Sequence, residues 1–275
     1  MLNKLLCLRN KEIQLNKALT IIMSLILGGC STLDIKKIPD SSNVLVLTIS
    51  NNEFNIVHDG YHIIPRFRPQ SIYEANPSWK LSELFDDYVL SFNDSSRFNL
   101  ISGKSENLPR PKNYWNYSGL EKELLSLSEK YSADYILLLS SHPVWNTSMV
   151  IYLESEYGYM HEVRKPWFNY EVNSGVYLNA NISLFNPQAF KKDLDESVYC
   201  NSFATGVLKG YEVEAADLPN ELPDNFKVTD IKEEVISKIH VSAENKFKEV
   251  FNLALQECGV IEKVETKKRN TRHKF

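Results

Sequence analysis

The chain has 275 residues, 43% hydrophobic, 24% charged and 11% aromatic, with 10 Gly and 11 Pro, which excludes fibrous and low-complexity classes and leaves room for two domains at most. Against 31 basic residues stand 35 acidic ones, a net charge of −4, so the net basic footprint of a nucleic-acid binder is missing. The charge is segregated: residues 1–29 carry Lys4, Arg9, Lys11 and Lys17 against one acid, residues 263–275 carry six basic groups against one acid, and the stretch between holds 21 basic and 33 acidic groups.

In chain order, the basic start runs into an apolar stretch from Ala18 to Leu27, a third to a half of a bilayer span and so the length of a signal-peptide core rather than an anchor helix. It closes on Leu27-Gly28-Gly29-Cys30, which resembles the bacterial lipobox: an aliphatic residue, two small residues, then the cysteine. The resemblance implies a diacylglyceryl thioether on Cys30, an acylated α-amino group and a mature chain that begins there, with residues 1–29 removed as a lipoprotein signal peptide. Each buried acyl CH₂ contributes about 0.8 kcal/mol, so two or three chains make a stable anchor. Ser31, where an inner-membrane retention signal would place aspartate, implies the periplasmic face of the outer membrane. The mature chain then carries 27 basic and 34 acidic groups.

With Cys7 removed and Cys30 lipidated, Cys200 and Cys258 remain, and two thiols in an oxidising compartment are a candidate disulfide; the alternative is two separate buried cysteines. The bridge would stabilise the fold by about 4 kcal/mol in the chain-entropy model.

Residues 30–42 read as a lipidated tether. Asn43 to Ser50 is a continuous aliphatic run expected to be a central strand buried on both faces. Within 51–77 an inserted hairpin is expected, with Phe54–His58 and Tyr61–Ile64 flanking the turn Asp59-Gly60. A helix period follows from Ser78 (Leu81, Leu84, Phe85, Tyr88, Val89, Phe92), then a strand at Phe98–Ser102. Ser118 and Glu121 form a capping-box pattern ahead of a helix to Tyr131, and Tyr135–Ser141 is the next strand.

Beyond it the pattern becomes antiparallel. Val176, Leu178, Ala180, Ile182 and Leu184 alternate with Tyr177, Asn179, Asn181 and Ser183, predicting meander strands with one wet face. Two short strands, Tyr199–Phe203 and Val207–Val213, are expected around Ala204-Thr205-Gly206, with a competing turn at Phe185-Asn186-Pro187-Gln188. After a Pro- and acid-rich linker at 214–226, a long helix from about Thr229 carries one stripe from Ile231 to Cys258, and 259–275 is a charged flexible tail. The fold class is α/β: a mixed sheet with a β-α-β-α-β start, antiparallel meander strands and a long C-terminal helix packed on the sheet, forming one periplasmic domain over 43–258.

Three segments carry a family resemblance. Val44–Asn51, Ser132-Ala133-Asp134-Tyr135-Ile136-Leu137-Leu138 and Ala204-Thr205-Gly206-Val207 are similar to the opening strand, the helix-to-central-strand signature and a Thr-Gly turn of envelope lipoproteins. These have a domain like the N-terminal domain of the Tol-system periplasmic protein, and they include the penicillin-binding-protein activator and the curli-secretion lipoprotein. The insertion at 51–77 and Ser140-Ser141, standing where a glycine often follows the central strand, depart from that pattern. The resemblance implies binding of proteins or assembly, with no catalytic residue to carry over.

No Gly-x-Ser-x-Gly elbow, Gly-x-Gly-x-x-Gly, Walker loop, Ser-x-x-Lys or Cys-x-x-Cys is present. His161-Glu162-Val163-Arg164-Lys165 starts like a zinc-protease motif but places Lys165 where the second ligand must stand, and His58, Asp59 and His62 around one turn do not oppose each other, so neither a metal nor a cofactor is expected. Tyr114, Trp115 and Tyr117, with Trp167, Phe168 and Tyr170, are candidate partner-surface residues. The expected function is a non-enzymatic, lipid-anchored periplasmic module that binds a protein partner in envelope assembly or synthase regulation. One alternative is an oligomeric secretion-pore subunit using 149–185, where Glu154, Glu156 and Glu171 interrupt any lipid-facing band. The other is an envelope hydrolase in which His142, His161 or His240 meets a nucleophile.

Overall fold

The computed structural model describes residues 38–51, 53–59, 75–76, 79–103, 108–109, 119–141, 144–146, 151–153, 156–164, 171–191, 197–208, 211–214, 217–218 and 227–262. In order these form β1 (Asn43–Ile49), β2 (Phe54–Asp59), β3 (Ala75–Asn76), α1 (Leu81–Leu90), β4 (Asn99–Ser102), α2 (Glu121–Tyr131), β5 (Tyr135–Ser141), β6 (Val144–Asn146), β7 (Ile151–Leu153), β8 (Tyr157–Arg164), β9 (Glu171–Phe185), β10 (Val198–Leu208) and α3 (Glu233–Glu257). The fold is the mixed α/β sheet with a C-terminal helix that the sequence pattern predicts.

The strands are ordered β3-β2-β8-β9-β5-β1-β4, and β10 pairs with β9. β1 lies parallel between β4 and β5. Its aliphatic run is uniform because both faces are covered: Val44 and Val46 join Leu137 and Leu139 in one core, while Leu45, Leu47 and Ile49 join Ile136 and Leu138 in the other. α1 fills the first core with Leu81, Phe85 and Val89, and α2 fills the second with Leu124. The two crossovers move in opposite directions from β1 and β4, so helices on opposite faces are what right-handed connections require.

The Ser132-Ala133-Asp134 signature has a local cause. Ser132 ends α2 in the left-handed region (φ 51°), Ala133 tucks under the sheet, and the Asp134 carboxylate accepts the Asn43 N–H at 2.9 Å while the Asp134 N–H donates to the Asn43 carbonyl at 2.9 Å. The turn thus fixes where β1 and β5 start relative to each other.

α3 lies on the first core through Val235, Ile239, Ala243, Phe247, Phe251 and Ala254, the predicted stripe. Phe251 meets Phe85 edge to face at 5.0 Å, and Phe247 meets Trp79 at 5.7 Å. The helix begins at Glu233, after a short 3₁₀ turn over Val228–Asp230.

Two expectations are corrected. Ala204-Thr205-Gly206 is no turn: β10 runs straight through it, paired with β9 from Cys200↔Leu184 to Leu208↔Val176. The chain reverses instead at the competing site, where Asn186 Oδ1 accepts the Gln188 N–H (3.0 Å) and the Asn186 N–H donates to the Ser197 carbonyl (2.8 Å). The second concerns the wet face. Tyr177, Asn179, Asn181 and Ser183 are all at most 1% exposed, so β9 is buried on both sides, with Ser183 donating to Asn201 Oδ1 at 2.7 Å. Alternation marked a polar face correctly, but polarity did not mean solvent.

β2 is an integral strand, parallel to β8 and antiparallel to β3; Tyr61–Ile64, the expected second arm of its hairpin, lies outside the described residues. The capping box is corrected as well: α2 starts at Glu121 with Leu120 at its N-cap and no side-chain cap, so Glu121 stands at the first helical position rather than the third, and its Oε2 accepts the Gly119 N–H at 2.6 Å; Ser118 lies outside the described residues.

Candidate functional site

The carboxyl ends of β1, β4 and β5 meet where successive connections leave for opposite faces of the sheet, the position at which open α/β sheets form ligand crevices. The polar side chains at this end come from four elements. Asp86, on the sheet-facing side of α1, accepts long hydrogen bonds from Thr48 Oγ1 and Ser102 Oγ, both at 3.4 Å. Burial pushes its carboxyl up to about 6, more than the two hydroxyl bonds lower it, and neighbouring Asp87 adds to the rise. The group therefore exchanges its proton near neutrality.

At the carboxyl end of β1 lies a junction that none of the sequence motifs marks. β5 and β8 run along the same edge of β9, Ser141 opposite Ala180 and Tyr157 opposite Leu178, so they are two halves of one strand with 142–155 looped out between them. Glu156 closes the break. Its carbonyl accepts the Asn179 N–H at 3.0 Å, and its carboxylate accepts the Asn51 N–H at 2.9 Å and the Ser141 hydroxyl at 2.5 Å. The residue is fully buried. A charge directly ahead of the alternating Tyr157-Gly158-Tyr159 was the available signal, although it read as an interruption of a lipid-facing band. At Gly158 the backbones of β8 and β2 leave no room for a side chain: a Cβ there would stand 1.9 Å from the Asn55 carbonyl oxygen.

Of the histidines named in advance, His161 sits in strand β8 rather than on a helix, so the protease-like spacing has no helical face to act on. Its Nδ1 lies 2.7 Å from Ser174 Oγ, and the two are only 1% and 6% exposed. Tyr159 Oη, on the same face, donates to the Tyr211 carbonyl and accepts the Val213 N–H, both at 3.1 Å, which fastens residues 211–213 to the sheet. His240 packs edge to face on Phe54 at 4.9 Å, and burial lowers its pKa. The turn histidine His58 is in register with His161, and Asp59 with Glu162, across parallel strands rather than across a hairpin. Among the described residues no group of His, Cys, Asp and Glu could hold a metal, and no helix is long and apolar enough to cross a membrane.

Cys200 and Cys258 are joined, with their Cα atoms 5.2 Å apart, tying β10 to the end of α3. Cys30, His142, the cluster Tyr114, Trp115 and Tyr117, and the cluster Trp167, Phe168 and Tyr170 lie outside the described residues. Comparison of the chain with protein-family models and with curated proteins gives no match. The functional reading rests on the residues themselves.

Proposed function

We propose that this chain is a lipoprotein held by Cys30 at the periplasmic face of the outer membrane, whose α/β domain binds a protein partner in envelope assembly or synthase regulation. The observation that carries the reading is the agreement of two independent cysteine environments. Cys30 ends an apolar run with lipobox spacing, and Cys200 and Cys258 form a buried bridge of the kind that persists in oxidising compartments. The lipid keeps the domain at the membrane, and the likeness of Val44–Asn51 and Ser132–Leu138 to Tol-like lipoprotein domains supports recognition of protein rather than chemistry.

Metabolic labelling with a clickable fatty acid tests the anchor: label is expected on the wild type and lost in Cys30→Ala, and label retained in that variant overturns it. Crosslinking in intact envelopes tests the module. A discrete partner beyond the lipoprotein-sorting machinery is expected, and its absence counts against the reading. A hydrolase reading has one contact behind it, His161 Nδ1 on Ser174 Oγ. A serine-directed fluorophosphonate that labels the wild type but not Ser174→Ala would favour it over a binding module.

A further inference from the structure

The domain begins before its first strand. Ile38 is 2% exposed and belongs to the core that α1 and α3 cover. Arg97 holds the chain that follows: its guanidinium donates to the Ile38 carbonyl and pairs with Asp40 at 2.9 Å, and its own carbonyl accepts the Ser41 N–H at 2.7 Å. Asn99 adds two bonds, its side-chain amide donating to the Ser41 carbonyl at 2.9 Å and its N–H to the Ser42 carbonyl at 3.0 Å. Residues 38–42 are therefore part of the folded body, and in a chain that begins at Cys30 only residues 31–37 link the lipid to it.

The same end of the domain receives the last turn of α3. Ser96 Oγ, next to Arg97, donates to the Val260 carbonyl at 2.9 Å. From there α3 runs back over 25 residues to Glu233, which at a rise of 1.5 Å per residue sets its start about 36 Å away.

Two lengths then decide how the domain stands on a membrane. Cys30 to Ile38 is eight steps of chain, at most about 28 Å when fully extended, whatever path it takes. Turning the domain over, with the start of α3 against the lipid, lifts Ile38 by the length of that helix, about 36 Å, which the link does not reach. A chain free as far as Asn43 has thirteen steps, reaches about 45 Å and permits the inversion. The docking of residues 38–42 is what removes it.

We propose that the domain is held one way up, with the Arg97 end toward the lipid that carries the anchor and the start of α3 toward the periplasm. The inference rests on the reading of Cys30 as the lipid attachment site, and it adds which surface meets which neighbour. The Ser41, Arg97 and Val260 end faces lipid headgroups. The carboxyl ends of β1 and β4, where Thr48 and Ser102 meet Asp86, point away from them and toward a periplasmic partner.

The test is energy transfer on the lipidated full chain in vesicles of phosphatidylethanolamine and phosphatidylglycerol that carry a headgroup-labelled acceptor lipid. A fluorescent amino acid replaces the exposed Asp94 in one preparation and the exposed Glu233 in another; Ser95 and Glu234, also exposed, give a second pair should either fail to fold. Transfer is expected to be strong at 94 and several-fold weaker at 233. A long Gly-Ser insertion between Lys37 and Ile38 is expected to narrow that difference. Equal transfer from the two positions, stronger transfer at 233, or a difference that the insertion leaves unchanged overturns the proposal. Fatty-acid labelling of the same samples separates the two readings: label with equal transfer overturns the orientation and keeps the anchor, whereas absence of label overturns both.

Discussion

The Ser141 hydroxyl donates to the Glu156 carboxylate across 2.5 Å, although the residues are 15 positions apart in sequence. The contact bridges the gap left where one long strand is interrupted, and the same carboxylate also caps the Asn51 N–H that β1 leaves at its end. Replacing the acceptor leaves the partly buried Asn51 N–H without this bond and the Ser141 hydroxyl with only the Ile49 carbonyl, at 3.3 Å. Glu156→Ala is expected to lose on the order of 2–4 kcal/mol in urea unfolding, and Glu156→Gln, which keeps a carbonyl oxygen, less.

If 142–155 is looped out of a continuous strand, it is dispensable for folding. A chain in which Ser141 is followed directly by Glu156 keeps the Ser141↔Ala180 and Tyr157↔Leu178 registers. It is expected to unfold in one cooperative transition with near-native near-ultraviolet circular dichroism. A broad transition with that signal lost would show that the loop shapes the sheet.

Gly158 admits no side chain without moving the Asn55 backbone. Gly158→Ala is expected to separate β2 from β8 and cost about 2–4 kcal/mol. Hydrogen exchange should rise at Asn55–His58 while amides in α2 stay protected.

Acid and base sensitivity have opposite signs at two positions. Asp86 holds its proton more tightly when folded, about 6 against 3.8, so its contribution is fully favourable below about 3.8 and is lost as pH rises through about 6. Asp86→Asn should therefore gain on the order of 1–2 kcal/mol at pH 8, allowing for partial solvation, and gain nothing at pH 3.5. His240 behaves the other way: burial favours its neutral ring, so its contribution is present above 6.5 and is lost as pH falls. His240→Phe should flatten the acid limb of the stability profile measured by thermal unfolding.

Reduction of the Cys200–Cys258 bridge releases a loop whose closure is worth about 4 kcal/mol by chain entropy. Cys258→Ser should lower the urea midpoint accordingly and abolish any further effect of reductant.

The parts of the fold legible in the sequence are those set by local period. β1, β5 and the α3 stripe stand where aliphatic runs and helical spacing put them, because burial on both faces or on one stripe leaves a direct imprint. Ala204-Thr205-Gly206 misled because glycine permits a turn without requiring one, and pairing with β9 over the whole strand outweighs local preference. Glu156 and Asp86 were hidden for another reason. Their roles depend on partners brought in from distant strands, and no spacing along the chain records that Glu156 meets Asn51 and Ser141 or that Asp86 meets Thr48 and Ser102.

The place of β1 in the sheet has a consequence for how the molecule is made. The first strand of the domain is an inner one, with Asn43 paired to Asn99 and Val44 to Tyr135, and the core above it closes only when Phe247 and Phe251 arrive. Little of the emerging chain has a partner to fold against, so early compaction is disfavoured and refolding should be slow, in the millisecond-to-second range of topologies dominated by distant contacts. A polypeptide that stays extended until its last helix is available can be threaded through a narrow translocation channel without first being unfolded.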